Sequence, residues 1–290
     1  MNAPSPPSSN NPNGPNGPGS PMQLHLQRIP ARNGMLWIRH GLQIFRRKPL
    51  ALTGLLSIFL FFAFLVLNVP VVGVVVLLMS LPLLSLGFML ATHLVLQSRT
   101  PTAAVYAAPL KLTPQRRNAQ LMLCAAYAVA TFAIALIAQW VDGGSMEALE
   151  KLASSGAPAD QVASAAGDSR LFLGAITRLG LAGLVSVPFW HAPALIHWGG
   201  QGVLQALFSS TLGVWRNKGA FAVNGLLWAA TMMGLGLIVS LLTAALGLSE
   251  QILPLIALPL VMLMSTVFYA SLYFTFVDCF MFGTPKNLPA

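Results

Sequence analysis

The most unusual chemistry in the sequence lies in one stretch, 187–200, which reads VPFWHAPALIHWGG. Pro188 and Pro193 stand five residues apart in an apolar run, where proline removes a backbone donor and kinks a helix. His191 lies between them, and an ionisable side chain inside such a run is a candidate functional group. A neutral histidine can also bond a carbonyl group that a proline has freed. A packing role for His191 therefore stays open beside a role with a substrate or a proton.

Two other polar residues stand near the ends of apolar runs. We expect His93 to face His191, so that the two histidines form a candidate intramembrane polar site. Asp278 ends the last apolar run, and we expect it to pair with an arginine beside the membrane.

A second candidate site consists of cations placed directly beside apolar runs. Such cations orient a membrane protein and attract anionic lipid headgroups. They form no separate soluble module, so the net charge of +9 predicts contact with membrane lipids and not with nucleic acid. A simple anchoring role is the alternative. The residues predicted to contact anionic lipid are Arg39, Arg46, Arg47, Lys48, Arg216 and Lys218.

Enzyme and metal motifs are absent from the sequence. It has no HExxH, GxSxG or P-loop motif, and its acidic residues lack calcium-site spacing. Cys124 and Cys279 both lie in apolar runs without a nearby partner, as is typical of buried thiols. We therefore predict a protein that is not an enzyme and uses no metal or cofactor.

The elements that carry these residues follow from composition. Hydrophobic residues make up 56% of the chain and charged residues only 8%, where a soluble domain has about a quarter. Long apolar runs predict an all-α polytopic transmembrane bundle, because about 20 residues of helix cross the hydrocarbon core. The six predicted spans are 50–68, 71–96, 119–140, 175–198, 220–246 and 253–277.

Charge predicts the orientation of the bundle. Lysines and arginines precede the first, third and fifth spans, whereas the long 141–170 loop is mainly acidic and the loop before the sixth span holds only Glu250. The positive-inside rule then predicts a bacterial cytoplasmic (inner) membrane protein with both termini in the cytoplasm.

The segments outside the spans are short. Residues 1–21 are rich in Pro, Asn, Gly and Ser and predict a disordered cytoplasmic tail. Residues 22–48 form a basic amphipathic interfacial segment, 49–280 the six-helix transmembrane domain, and 281–290 a cytoplasmic C-terminal tail. Within the external loop 141–170, residues 145–154 favour a short helix.

Two parts of the sequence resemble each other. Residues 45–50 (FRRKPL) open the first span and residues 215–219 (WRNKG) open the fifth, each followed by Gly-Leu-Leu. Each opening also follows an amphipathic stretch, with apolar positions at Met35, Ile38, Leu42 and Phe45 in one and Leu204, Leu207, Phe208, Leu212 and Trp215 in the other. We interpret the chain as three hairpins in series with interfacial helices before the first and third.

These motifs also carry a resemblance. Residues 32–38 (RNGMLWI), FRRKPL, 188–200 (PFWHAPALIHWGG), WRNKG and 268–278 (FYASLYFTFVD) resemble a bacterial inner-membrane protein family with no assigned activity. The resemblance covers residues 28–280. It implies a membrane location and carries no functional residues.

Two functions remain open from the sequence. The first is a non-enzymatic membrane component that engages lipid or protein partners through its basic interfacial helices. The second is a small transporter or channel with a path at the proline-broken fourth span. Polar residues are sparse within the spans, which slightly favours the first.

Overall fold

A computed structural model describes residues 26–247 and 253–280. The predicted tails 1–21 and 281–290, residues 22–25 and Glu250 lie outside these ranges. Within them the chain is helical and contains no strand. The helices are α1 Asn33–Arg47, α2 Pro49–Leu67, α3 Val72–Leu96, α4 Ala104–Ala107, α5 Pro114–Asp142, α6 Ser145–Ser154, α7 Ala159–Ala166, α8 Ser169–Phe189, α9 Ala192–Gly199, α10 Val203–Arg216, α11 Lys218–Ala245 and α12 Leu253–Phe280, with a 3₁₀ turn at Ala108–Lys111.

The six predicted spans are confirmed as helices long and apolar enough to cross a membrane. They are α2, α3, α5, α8 with α9, α11 and α12. The predicted helix at 145–154 is confirmed as α6, whereas α4 and α7 were missed. Helices this short give too few apolar positions for a period to stand out.

Local sequence explains where several helices begin and end. Pro49 and Pro114 stand in the first turns of α2 and α5, where the missing N–H costs no hydrogen bond. The Asp168 carboxylate caps α8 by accepting from the backbone N–H of Arg170 at 2.9 Å. Gly200 ends α9 with φ of 63°, a conformation that favours glycine.

The spans form three antiparallel hairpins, as predicted. In α2–α3, Gly73 packs against the backbone of Val66, and in α5–α8, Gly174 packs against Asp142. In α11–α12, the Trp228 and Phe268 rings lie 5.5 Å apart.

A short helix precedes each hairpin and packs on the second helix of another hairpin. Helix α1 packs on α12, α4 on α3, and α10 on α8. The Tyr106 ring of α4 lies against Gly87 of α3, and its hydroxyl donates to the Leu55 carbonyl at 3.0 Å. The three hairpins are therefore linked in a closed cycle by their leading helices.

Packing is concentrated at one end of the bundle. We call it the basic end: α2, α5 and α11 begin there, and α3, α9 and α12 end there. Both buried clusters of large apolar side chains lie mainly at this end, around Trp37, Phe88, Leu195 and Phe276. Toward the other end, α8 and α11 are exposed along most of their length, as expected for helices that face lipid.

Helix α1 packs through a different face from the predicted apolar stripe. Its buried residues are Gly34, Trp37, Gly41 and Ile44, whereas Met35 of the predicted stripe is 57% exposed. The two glycines decide this, because each lets the helix backbone touch α11 or α12 directly. An apolar-periodicity argument gives glycine no weight and so selects the neighbouring stripe.

Candidate functional site

The break between α8 and α9 is held open by a serine hydroxyl. In a continuous helix, the N–H of His191 would donate to the carbonyl of Val187. Here the Ser210 hydroxyl of α10 stands between them: it donates to Val187 O at 2.9 Å and accepts from His191 N at 3.0 Å. Ser210 is completely buried, so it satisfies two backbone groups that water cannot reach.

The side chain of His191 is buried among rings and one hydroxyl. Its Nε2 lies 3.1 Å from Oγ1 of Thr275, and the rings of Phe221, Phe276 and Phe280 surround it at 5.2–6.1 Å. Thr275 donates its single proton to Leu272 O at 2.8 Å, so it must accept from His191. The ring is therefore protonated on Nε2, and its Nδ1 has no hydrogen-bond partner.

This arrangement resembles a packed core more than a proton path. Thr275 also accepts from Nε1 of Trp190 at 3.2 Å, which completes a hydroxyl-centred cluster of neutral groups. Among the described residues, no carboxylate or cation forms a hydrogen bond or ion pair with His191. The geometry supports the packing role that the sequence left open.

His93 lies in a separate network. Its Nδ1 contacts the Tyr273 hydroxyl at 3.0 Å, and its Nε2 accepts from the Gln97 amide nitrogen at 2.9 Å. The two histidines contact α12 at two different residues, Tyr273 and Thr275, but they do not contact each other. The rings of Trp198 and Phe276, stacked at 5.3 Å, link their two surroundings. The expected direct facing of His93 and His191 is not found.

The predicted lipid-contact cations lie at two helix junctions. Arg46, Arg47 and Lys48 stand where α1 meets α2, and Arg216 and Lys218 flank the α10–α11 junction. All are exposed except the half-buried Lys48, and Arg39 is exposed on α1. In the part of the chain that the structure describes, none of them has a carboxylate within 4.0 Å; the ion pair found there joins Lys151 and Glu147 at 2.7 Å, toward the opposite end.

The two junctions are separated along α1. The start of α11 touches the start of α1, where a Cβ built on Gly219 would lie 3.5 Å from Ala31. Arg46 to Lys48 lie at the other end of α1, roughly 20 Å away at 1.5 Å per residue. They form two basic sites and not one continuous patch.

Asp278 does not pair with an arginine, contrary to expectation. Its Oδ2 accepts from Asn33 Nδ2 at 2.9 Å and from Trp37 Nε1 at 2.8 Å, which ties α12 to α1. Burial lowers the pKa of the neighbouring His40, Asp278 opposes that shift and Arg39 adds to it. Burial therefore favours the uncharged form of His40.

Asn217, which the sequence argument passed over, holds the chain ahead of α1. Its Oδ1 accepts from Ile29 N at 2.9 Å, and its Nδ2 donates to Gln27 O and Gly213 O, both at 3.0 Å. Gln27 N also donates to Cys279 O at 2.9 Å. The only sequence signal for this clamp was the position of Asn217 between the two cations of the WRNKG motif. Ser210 and Thr275 gave no signal at all.

Comparison with known proteins agrees with the membrane fold. The chain is 32% identical over 271 residues to a probable inner membrane protein of Burkholderia thailandensis, and the match covers 91% of this chain and 97% of that protein. The chain belongs to the same family. This confirms the resemblance drawn from the sequence motifs.

Two other comparisons returned nothing. No protein-family model matches the chain, and no solved structure matches it. The relative's name states a membrane location and no activity. Family membership therefore supports a multi-pass inner-membrane protein, and it assigns no activity to this chain.

Proposed function

We propose that this protein is a non-enzymatic component of the bacterial inner membrane that binds anionic lipid headgroups at its basic end. The observation that carries the proposal is the set of exposed cations at the two helix junctions, none of which is neutralised by a carboxylate among the described residues. A cation near an anionic membrane surface contributes about 1 kcal/mol to binding. Cations kept free of internal partners are available for that interaction.

The outward face of α10 supports a position in the headgroup layer. This helix buries its small residues Ala206, Ser210 and Gly213 against the bundle. Its large apolar residues point outward instead, in the arrangement expected of an interfacial helix. The exposed residues are Leu204, Phe208, Leu212 and Trp215, at 83%, 69%, 43% and 69%.

At the α10–α11 junction, Lys218 lies against an aromatic ring. The Lys218 ammonium lies 5.3 Å from the centroid of the Trp215 ring. Tryptophan concentrates at the headgroup level, and a lysine beside it can reach a phosphate while its stem stays in apolar surroundings. This pair gives the α10–α11 junction the chemistry of a headgroup contact.

We further propose that the basic end faces the cytoplasm. Among the described lysines and arginines, Lys151, Arg170 and Arg178 lie toward the opposite end and the others lie at the basic end. The loop helices α6 and α7 at that opposite end carry Glu147, Glu150 and Asp160. By the positive-inside rule, this charge distribution supports a cytoplasmic position for the basic end.

A transport path through the fourth span has less support. Its break is occupied by the Ser210 hydroxyl, and His191 beside it is completely buried among phenylalanine rings. A path needs polar groups that face a continuous opening, whereas the hydroxyl groups of Ser210 and Thr275 at this break bond other groups inside the bundle.

Native mass spectrometry of the protein in lipid nanodiscs tests the proposal. With a mixture of phosphatidylglycerol and phosphatidylcholine, we expect the wild type to retain phosphatidylglycerol. Replacing Arg46, Arg47 and Lys48 together with Gln should weaken retention by roughly two orders of magnitude, since three cations contribute about 3 kcal/mol.

The control replaces the two exposed cations toward the opposite end of the bundle, Lys151 and Arg170, with Gln. Retention that survives in the control and fails in the junction variant supports the proposal. Equal retention in the junction variant and the wild type would overturn it, and so would an equal loss in both variants.

A further inference from the structure

A cavity of about 190 Å³ lies where the second helices of the three hairpins meet. Its walls come from α3, α8 and α12, with one residue of α5. A cavity of roughly 150 Å³ accommodates a benzene-sized molecule, so this one has room for a substituted six-membered ring. It lies beside the His191 cluster, because Trp190 lines the cavity and also donates to Thr275.

The cavity is lined by rings. Five aromatic side chains face it together with Leu81, Pro82 and Leu272. Aromatic side chains favour offset stacking or edge-to-face contact with a flat ring. The five are Tyr127, Phe189, Trp190, Phe268 and Tyr269.

Hydroxyl groups give the cavity polarity without charge. Ser85 and Ser186 donate to carbonyl groups of their own helices, Pro82 O at 2.9 Å and Gly183 O at 2.7 Å. The phenol hydroxyls of Tyr127 and Tyr269 have no hydrogen-bond partner in the part of the chain that the structure describes. Two phenol donors without acceptors, in a site that lacks any charged side chain, suit a ligand with neutral acceptor groups.

Access to the cavity is from the side of the bundle. Most of its lining residues are only half-buried, and Leu184, two residues from Ser186, is 70% exposed. Surfaces of this kind on a span face lipid, so a ligand would enter from the membrane. Toward the basic end, Leu272 and Trp190 join the buried cluster around Phe276, which closes that side.

We propose that this cavity binds the uncharged ring of a membrane-soluble quinone. The flat ring would stack against the aromatic lining, its carbonyl oxygens would accept from Tyr127 and Tyr269, and its apolar tail would lie in the membrane beside α8. A lipid acyl chain is the competing occupant, but it would leave both phenol groups unbonded. The proposal is independent of the anionic-lipid sites, which lie at the helix junctions.

Tryptophan fluorescence in nanodiscs tests the proposal with a decyl-substituted benzoquinone as the probe. Quinones quench indole emission on contact. We expect a saturable quenching component in the wild type that disappears in Trp190→Phe. Tyr127→Phe and Tyr269→Phe should each weaken the apparent affinity roughly 2- to 10-fold, the range of one lost hydrogen bond.

A matched pair of variants keeps Trp190 in place. Ser85→Leu fills the cavity, whereas Ser57→Leu changes an exposed serine of α2 that likewise bonds a carbonyl of its own helix. Loss of the saturable component in Ser85→Leu but not in Ser57→Leu supports the site. Quenching that rises without saturation and equally in both variants would overturn it. Quenching of Trp190 by brominated acyl chains that the quinone does not displace would instead identify an acyl chain as the occupant and also overturn it.

Discussion

A single hydroxyl group holds the break inside the fourth span. Pro188 and Pro193 predict a kink, but they do not specify what satisfies the backbone groups that the kink exposes. The structure assigns that task to Ser210, nineteen residues further along the chain. The neighbouring cluster around Thr275 follows the same logic, since one threonine hydroxyl serves Trp190, His191 and Leu272.

Removing the Ser210 hydroxyl should therefore destabilise the protein. In Ser210→Ala, the N–H of His191 and the carbonyl of Val187 lose their shared partner at a completely buried position, at a cost of about 1–3 kcal/mol. Thr211→Ala is the control, because Thr211 is exposed and bonds only Leu207 O of its own helix. Unfolding in mixed detergent micelles measures both. Equal stability of the two variants would show that the hydroxyl does not hold the break.

Asn217 offers a second test at the scale of one side chain. Asn217→Ala removes the clamp on Gln27 and Ile29, so residues 26–31 should detach from the bundle. We expect faster tryptic cleavage after Arg28, with cleavage after Arg170 unchanged as the internal reference. Asn118→Ala, at an exposed position, should leave both rates as in the wild type. Unchanged cleavage after Arg28 in Asn217→Ala would contradict the clamp.

At the scale of elements, α1 belongs to the bundle and is more than an anchor on its surface. Trp37 is completely buried and donates to Asp278, while Gly41 lies against Val267 and Ser271. The sequence predicted an interfacial helix before the first span from its amphipathic spacing. It could not predict the packing face. A glycine lets two helices approach each other closely, but it adds no apolar side chain that an amphipathic pattern would register.

The glycines of α1 give a sharp prediction. A Cβ at Gly41 would stand 2.8 Å from both Val267 O and the Ser271 side chain, so Gly41→Ala should lower stability by about 1–3 kcal/mol. Gly54→Ala in α2 is the matched control, since nothing lies within 4 Å of its Cβ position. That change should be neutral or stabilising by up to about 1 kcal/mol. If both substitutions shift the thermal unfolding temperature by the same amount, α1 does not approach α12 closely at Gly41.

At the scale of elements, part of the architecture was predictable from the sequence. Hydropathy located all six spans, because each is a long apolar run bounded by cations, glycine or proline. The FRRKPL and WRNKG openings indicated the repeated helix–hairpin unit. The closed cycle of leading helices was not predictable, since contacts such as Tyr106 with Gly87 or Ser210 with Val187 join residues that no periodicity relates.

At the scale of the whole molecule, the charge distribution predicts the orientation in the membrane. Cysteine labelling can test that prediction. Cys124 and Cys279 are buried, so an added surface cysteine should dominate labelling. Ser155→Cys lies in the loop beyond α6 and Gln115→Cys in the first turn of α5, and both positions are exposed. A membrane-impermeant maleimide should label Ser155→Cys in intact spheroplasts and Gln115→Cys only after lysis. The reverse pattern would contradict a cytoplasmic basic end.

Two exposed tryptophans allow the central claim, that the basic end contacts anionic lipid, to be tested directly. Trp215 lies beside Lys218 at the basic end and is 69% exposed, whereas Trp140 lies at the opposite end and is 84% exposed. The measurement is the quenching of each by brominated phosphatidylglycerol and by brominated phosphatidylcholine, with Trp215→Phe and Trp140→Phe used to separate their contributions.

We predict that brominated phosphatidylglycerol quenches Trp215 more strongly than brominated phosphatidylcholine. The difference should vanish when Arg216 and Lys218 are both replaced with Gln, and Trp140 should not distinguish the two lipids. High salt should reduce the preference, because exposed charges are screened within about 3 Å at 1 M ionic strength. Equal quenching of Trp215 by the two lipids in the wild type at low salt would contradict the account.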